Sequence, residues 1–230
     1  MNEGLQTVYP GAASAGALAQ RNRVLRNTYW LLALSLVPTV IGAWIGVTTG
    51  FMAGMGTGMS AIVFLGGAFG FIYAIERTKN SSAGVLVLLA FTFFMGLMLS
   101  RILAAVLGYS NGASLIMMAF GGTAAIFAAM ASLSTFIKRD LSNMGKFLFV
   151  GAILLLVVGV INIFVQSSAL MITVAVLAIG IFSAFMLYDL KRIVDGGETN
   201  YISATLGLYL SIYNVFQSLL ALFGIFGGED

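Results

Sequence analysis

The chain has 230 residues, 60% hydrophobic and 8% charged, with a formal net charge of +3. A soluble domain carries roughly 25% charged residues, so this chain lacks the polar groups to cover a water-facing surface and reads as an all-α membrane protein. It has neither cysteine nor histidine, which excludes disulfides, thiolate nucleophiles, thiolate or imidazole metal sites and a Ser-His couple.

Residues 1–25 are small and mostly polar and are expected to form a flexible cytoplasmic tail; residues 26–228 are expected to form a single seven-helix transmembrane domain. The small residues of the tail precede the first apolar run, whereas a cleavable signal places them after it. Apolar segments follow at 28–48, 53–75, 82–107, 113–137, 146–166, 169–190 and 199–226, each near the ~20 residues that cross a hydrocarbon core of ~30 Å. Period-two alternation is absent, so strands are not expected. Glycines recur in the second and fourth segments, in Gly54-Met55-Gly56-Thr57-Gly58, Gly66-Gly67 and Gly121-Gly122, where small residues let helices approach closely in lipid.

The third segment holds Arg101, whose guanidinium is expected to snorkel toward headgroups. The sixth ends in Leu187-Tyr188-Asp189-Leu190-Lys191-Arg192. An ionisable group at membrane depth is costly and marks a candidate functional site, so Asp189 is a candidate ion- or proton-sensing residue. The bland reading is an i,i+3 ion pair with Arg192. Glu198, just beyond, and Glu76 are further candidates. The seventh segment is the most polar: Asn200, Ser203, Gly207, Ser211, Asn214 and Ser218 recur at helical spacing and form one face. Tyr201, Thr205, Tyr209, Tyr213 and Gln217 form a neighbouring ridge. Lipid does not reward exposing such groups, so this helix is expected to be central, with the other six around it. The seventh segment has no carboxylate to partner Asp189 as the acid–base pair of an aspartyl protease. No enzyme, cofactor or metal site is expected.

All the basic residues except Arg101 lie in the N-terminal tail or in the turns after the second, fourth and sixth segments: Arg21, Arg23, Arg26, Arg77, Lys79, Lys138, Arg139, Lys146, Lys191 and Arg192. The alternate turns carry no charge. This is a topology signal and not a nucleic-acid-binding one, and it places the N-terminus in the cytoplasm and the C-terminus across the membrane.

The string Gly196-Gly197-Glu198-Thr199-Asn200-Tyr201-Ile202, then Leu208-Tyr209-Leu210-Ser211-Ile212-Tyr213-Asn214, with Arg26-Asn27-Thr28-Tyr29 before the first span, resembles the bacterial FtsH-protease modulators of the Bax-inhibitor (transmembrane Bax-inhibitor-motif) family. Tyr188-Asp189-Leu190, Ala119-Phe120-Gly121-Gly122-Thr123-Ala124 and Lys138-Arg139-Asp140-Leu141 are similar to the wider family. The resemblance implies six helices around a central seventh, the bacterial inner membrane with a periplasmic C-terminus, and an FtsH-type membrane protease complex as partner. It also implies an alternative, because some bacterial members are described as pH-sensitive calcium leaks gated by aspartates in helices six and seven. The first of these corresponds to Asp189. The second falls at Ser211, which is no carboxylate. Ser100-Arg101-Ile102-Leu103 stands where the family often has Gly-Pro-x-Leu.

The charge asymmetry makes a direct prediction. A reporter that works only outside the cytoplasm should be silent when fused to the N-terminus and active at the C-terminus; activity at both ends or neither would require an even number of crossings.

Overall fold

In hydrocarbon the backbone has no water to bond, so each apolar run must satisfy its own N–H and C=O groups as a helix. The computed structural model describes residues 10–52 and 54–228. They form α1 (Pro10–Thr49), α2 (Thr57–Thr78), α3 (Ser82–Leu107), α4 (Gly112–Phe136), α5 (Met144–Val165), α6 (Ser168–Val194) and α7 (Tyr201–Gly227). All seven are long and apolar enough to cross a membrane.

One boundary differs markedly from expectation. The tail expected to be flexible through residue 25 is helical from Pro10; residues 1–9 lie outside the described residues. The physical reason is local. Proline suits the first helical position and the alanines that follow are the best helix formers. A segment continuous with a spanning helix also needs no nucleus of its own. With 40 residues, α1 is about 60 Å long, twice the hydrocarbon thickness. The Arg21 guanidinium donates to the Val194 carbonyl at 3.1 Å, tying the emerging helix to the end of α6.

α3 and α7 are the most buried helices. α7 packs against α1, α2, α3, α4 and α6, while α5 reaches the bundle through α6 and α2. The seventh helix is therefore central, with five neighbours in direct contact and the sixth one layer out. The core joins Leu88, Phe91 and Met95 of α3 to Leu208, Tyr209 and Tyr213 of α7 and to Leu31 and Leu32 of α1.

The most extensive pairing is α1 with α3. Gly42 and Gly46 of α1 lie directly on α3, and Gly96 of α3 lies directly on α1. A Cβ on Gly42 would strike the Phe93 carbonyl oxygen, and one on Gly96 would strike that of Thr39. The basic residues other than Arg101 all lie at one end of the bundle. Arg101 does more than reach for headgroups: its guanidinium donates to Thr57 Oγ1 at 2.9 Å and to Ser60 Oγ at 3.3 Å, joining α3 to the start of α2.

Gly42→Leu and Gly96→Leu should each lower the melting temperature in detergent, with an overpacking penalty of ~1–3 kcal/mol or more. Ile62→Leu, at an exposed position on α2, should leave it nearly unchanged. Equal melting of all three would show that the α1–α3 seam tolerates separation.

Candidate functional site

The sixth helix ends where its basic residues favour it. Lys191 and Arg192 lie in the last turn, where cations meet the negative end of the helix dipole. Gly196, at φ +79°, then turns the chain back toward α7. This turn brings Glu198 to Arg192, with Nη2 to Oε2 at 2.9 Å. Arg192 also lies over the Tyr188 ring, 5.7 Å from its centroid, and Lys191 pairs with Asp195 at 2.6 Å. The Asp189–Arg192 ion pair of the bland reading is therefore not the salt bridge the fold makes: the returning chain offers Arg192 the carboxylate of Glu198.

Asp189 faces α7. Its Oδ2 lies 2.9 Å from where a Cβ on Gly207 would stand, so glycine at 207 is what admits the carboxylate against the α7 backbone. Ser211, one turn further along α7, is buried. The structure thus brings Asp189 and Gly207 to one α6–α7 contact, with Ser211 buried one turn along α7 and the Arg192–Glu198 pair at the basic end.

The rest of the expected polar face divides among other tasks. Asn200 caps α7, its Oδ1 accepting from the backbone N–H groups of Ile202 (2.9 Å) and Ser203 (3.1 Å). Its Nδ2 donates to the Lys79 carbonyl at 3.0 Å and to Asn80 Oδ1 at 2.9 Å. Glu198 Oε1 accepts from the Asn200 amide at 2.9 Å, and Ser203 Oγ donates to Glu76 Oε1 at 3.1 Å. One residue thus links the α6–α7 turn to the α2–α3 turn. Asn214 donates to the Leu210 carbonyl of its own helix at 2.8 Å, and Ser218 is half-buried.

The neighbouring ridge makes further interhelical bonds. Tyr209 shares a 2.8 Å hydrogen bond with Thr39 of α1, and its hydroxyl also donates to the Thr92 carbonyl of α3 at 3.4 Å. The Tyr213 hydroxyl donates to the Met95 carbonyl at 3.3 Å. These tyrosines were visible as a ridge in the sequence, but period alone does not say which of two adjacent faces is buried deeper. Outside the spans, Asp140 is held below the usual carboxylate range by hydrogen bonds from the Ser142 hydroxyl and then the Ser142 amide. Among the described residues no three acidic side chains gather as a cation cage.

The chain has relatives among known proteins along nearly its whole length. The family model described as inhibitor of apoptosis-promoting Bax1 matches residues 21–228. The chain is 37% identical over 214 residues to the modulator of FtsH protease YccA of Escherichia coli, covering 93% of this chain and 94% of that one. It is 39% identical over 215 residues to an uncharacterised membrane protein of Vibrio cholerae, covering 92% and 93%. It is 36% identical over 213 residues to an uncharacterised protein of Neisseria meningitidis serogroup A, covering 91% and 94%.

Replacing Asn200 tests the linking role. Asn200→Ala should cost about 1–2 kcal/mol through the lost cap alone. Asn200→Ser, which keeps a capping oxygen, should recover only part of the stability, because it loses the amide bonds to Lys79 and Asn80. Full recovery by serine in thermal unfolding would reduce Asn200 to a simple cap.

Proposed function

The chain belongs to the family of inhibitors of apoptosis-promoting Bax1, and from that membership we propose that it is a non-enzymatic regulator that binds and restrains an FtsH-type membrane protease in the bacterial inner membrane. The observation that carries this reading is the 37% identity to the E. coli modulator of FtsH protease over nearly the whole of both chains. In this reading residues 26–228 act as one transmembrane domain, the basic end faces the cytoplasm, and the C-terminus is periplasmic. The cytoplasmic end is suited to a protein partner. Arg21, the Arg192–Glu198 pair and Asn200 tie α1, the α2–α3 turn and the α6–α7 turn into one surface.

The test is affinity purification of the tagged protein from native membranes with mass spectrometry of what accompanies it. An FtsH-type protease should be enriched over an unrelated seven-helix control, and deleting the protein should speed turnover of that protease's membrane substrates. No enrichment together with unchanged turnover would sink the proposal.

A second reading, a pH-sensitive calcium leak, is favoured by one observation: Asp189 lies against the central helix, next to Gly207. A hard cation wants about six to eight oxygen ligands, and one carboxylate is a thin charge complement. The wild type should therefore pass little calcium in liposomes. Ser211→Asp should create a steeper pH dependence, because two close carboxylates resist ionising together. A large wild-type flux abolished by Asp189→Asn would show that the single carboxylate suffices.

A further inference from the structure

α1 and α4 do not pack on one another. Between them the rings of Tyr29 and Phe127 meet edge to face with centroids 6.2 Å apart. The same two helices flank a groove of about 810 Å³ whose floor is formed by α3 and α7, including Leu103, Ile212 and Phe216. Tyr29–Phe127 lies toward its basic end. Val47, Leu107 and Ile116 line it toward the uncharged end. We propose that this groove is a lipid-binding site, taking one acyl chain of a phospholipid from the leaflet on the uncharged side.

The lining decides the class of occupant. Along the groove Thr39 is bonded to Tyr209, Thr123 to the Ala119 carbonyl and Tyr213 to the Met95 carbonyl; Tyr29 lines it at the basic end, away from the uncharged side. No polar ligand is called for, and water needs two to four polar partners to stay in a cavity. An empty groove would forfeit the dispersion contacts of its walls. A partner helix seeks small residues for close backbone approach; Ala33, Ala43, Gly121 and Ala124 line the groove, but the same walls present Leu36, Val40, Trp44, Met117 and Phe120, whose bulk holds a second backbone off. A flexible hydrocarbon chain meets all of these conditions. Trp44 is 66% exposed and lies in the last turns of α1, the position of an interfacial tryptophan beside which the headgroup would rest.

The test uses a reporter on the groove floor. Trp30→Phe and Trp44→Phe remove the native tryptophans, and Ile212→Trp, or Phe216→Trp if the first misfolds, places one under the groove. The full-length protein is reconstituted in phosphatidylcholine vesicles with or without bromine on the acyl chains. Gly121→Leu supplies the filled control, since a Cβ at Gly121 meets nothing within 4 Å. The floor tryptophan should be quenched by brominated chains, and Gly121→Leu should remove that quenching while circular dichroism stays unchanged. Mass spectrometry of the intact protein should find a retained phospholipid that the same substitution releases. Absent quenching, or quenching equal in the filled variant, overturns the proposal. So does a photo-reactive residue at Met117 that couples to another membrane protein and not to phospholipid.

Discussion

The seam between α1 and α3 is the contact on which the rest of the bundle depends. Helices in lipid gain nothing from hiding apolar surface, because the lipid is as apolar as they are. Association rests on close packing and on hydrogen bonds between helices. Gly42 of α1 and Gly96 of α3 bring two backbones together without intervening side chains, and Gly46 admits the Ser100 side chain. That closeness sets the position of Thr39, whose hydroxyl then meets Tyr209, and of Thr92 and Met95, whose carbonyls meet Tyr209 and Tyr213. The central helix is thus held by groups that the α1–α3 seam has already put in place.

At the basic end the organising device is different, because water and charge are available there. Arg192 is the pivot: it lies over Tyr188 and pairs with Glu198, so the turn that returns the chain to α7 is fastened to the helix it leaves. Asn200 then begins α7 and reaches the α2–α3 turn in the same step. Asp189, one turn back from Arg192, is left facing Gly207 with its usual ion-pair partner engaged elsewhere. Exposed ion pairs contribute only ~0–1 kcal/mol each, so the force of this arrangement lies in geometry more than in energy.

Much of the fold was legible because it rests on length. Runs of about 20 apolar residues read directly as α2 to α7, with ends displaced by a few residues. The helical reach of α1 back to Pro10 was not legible, since its residues are polar or small and resemble a loop by composition. The glycines posed a related difficulty. Gly42 and Gly96 are indispensable to a helix crossing, whereas Gly66 and Gly70 have nothing within 4 Å, and no local pattern separates them. At the candidate site, i,i+3 spacing offered Arg192 to Asp189. What decided otherwise was a chain reversal at Gly196, a long-range consequence of the fold that helical periodicity does not express. The polar face of α7 was found, but its parts cap, link and admit a carboxylate at different levels and do not form one continuous stripe.

The same seam explains why a groove persists between α1 and α4. α1 is bound to α3 at backbone distance and has no freedom to swing toward α4 without prising Gly42 from Phe93. α4 is held by α6 and α7, and Asn111 at its start donates to the Gly227 carbonyl at the end of α7, 2.6 Å away. The wedge between the two helices can therefore close only by breaking one of these attachments. The groove is open to the surrounding hydrocarbon, which supplies the dispersion contacts its walls would otherwise lack, so the tight packing on one side of α1 leaves a place for lipid on the other.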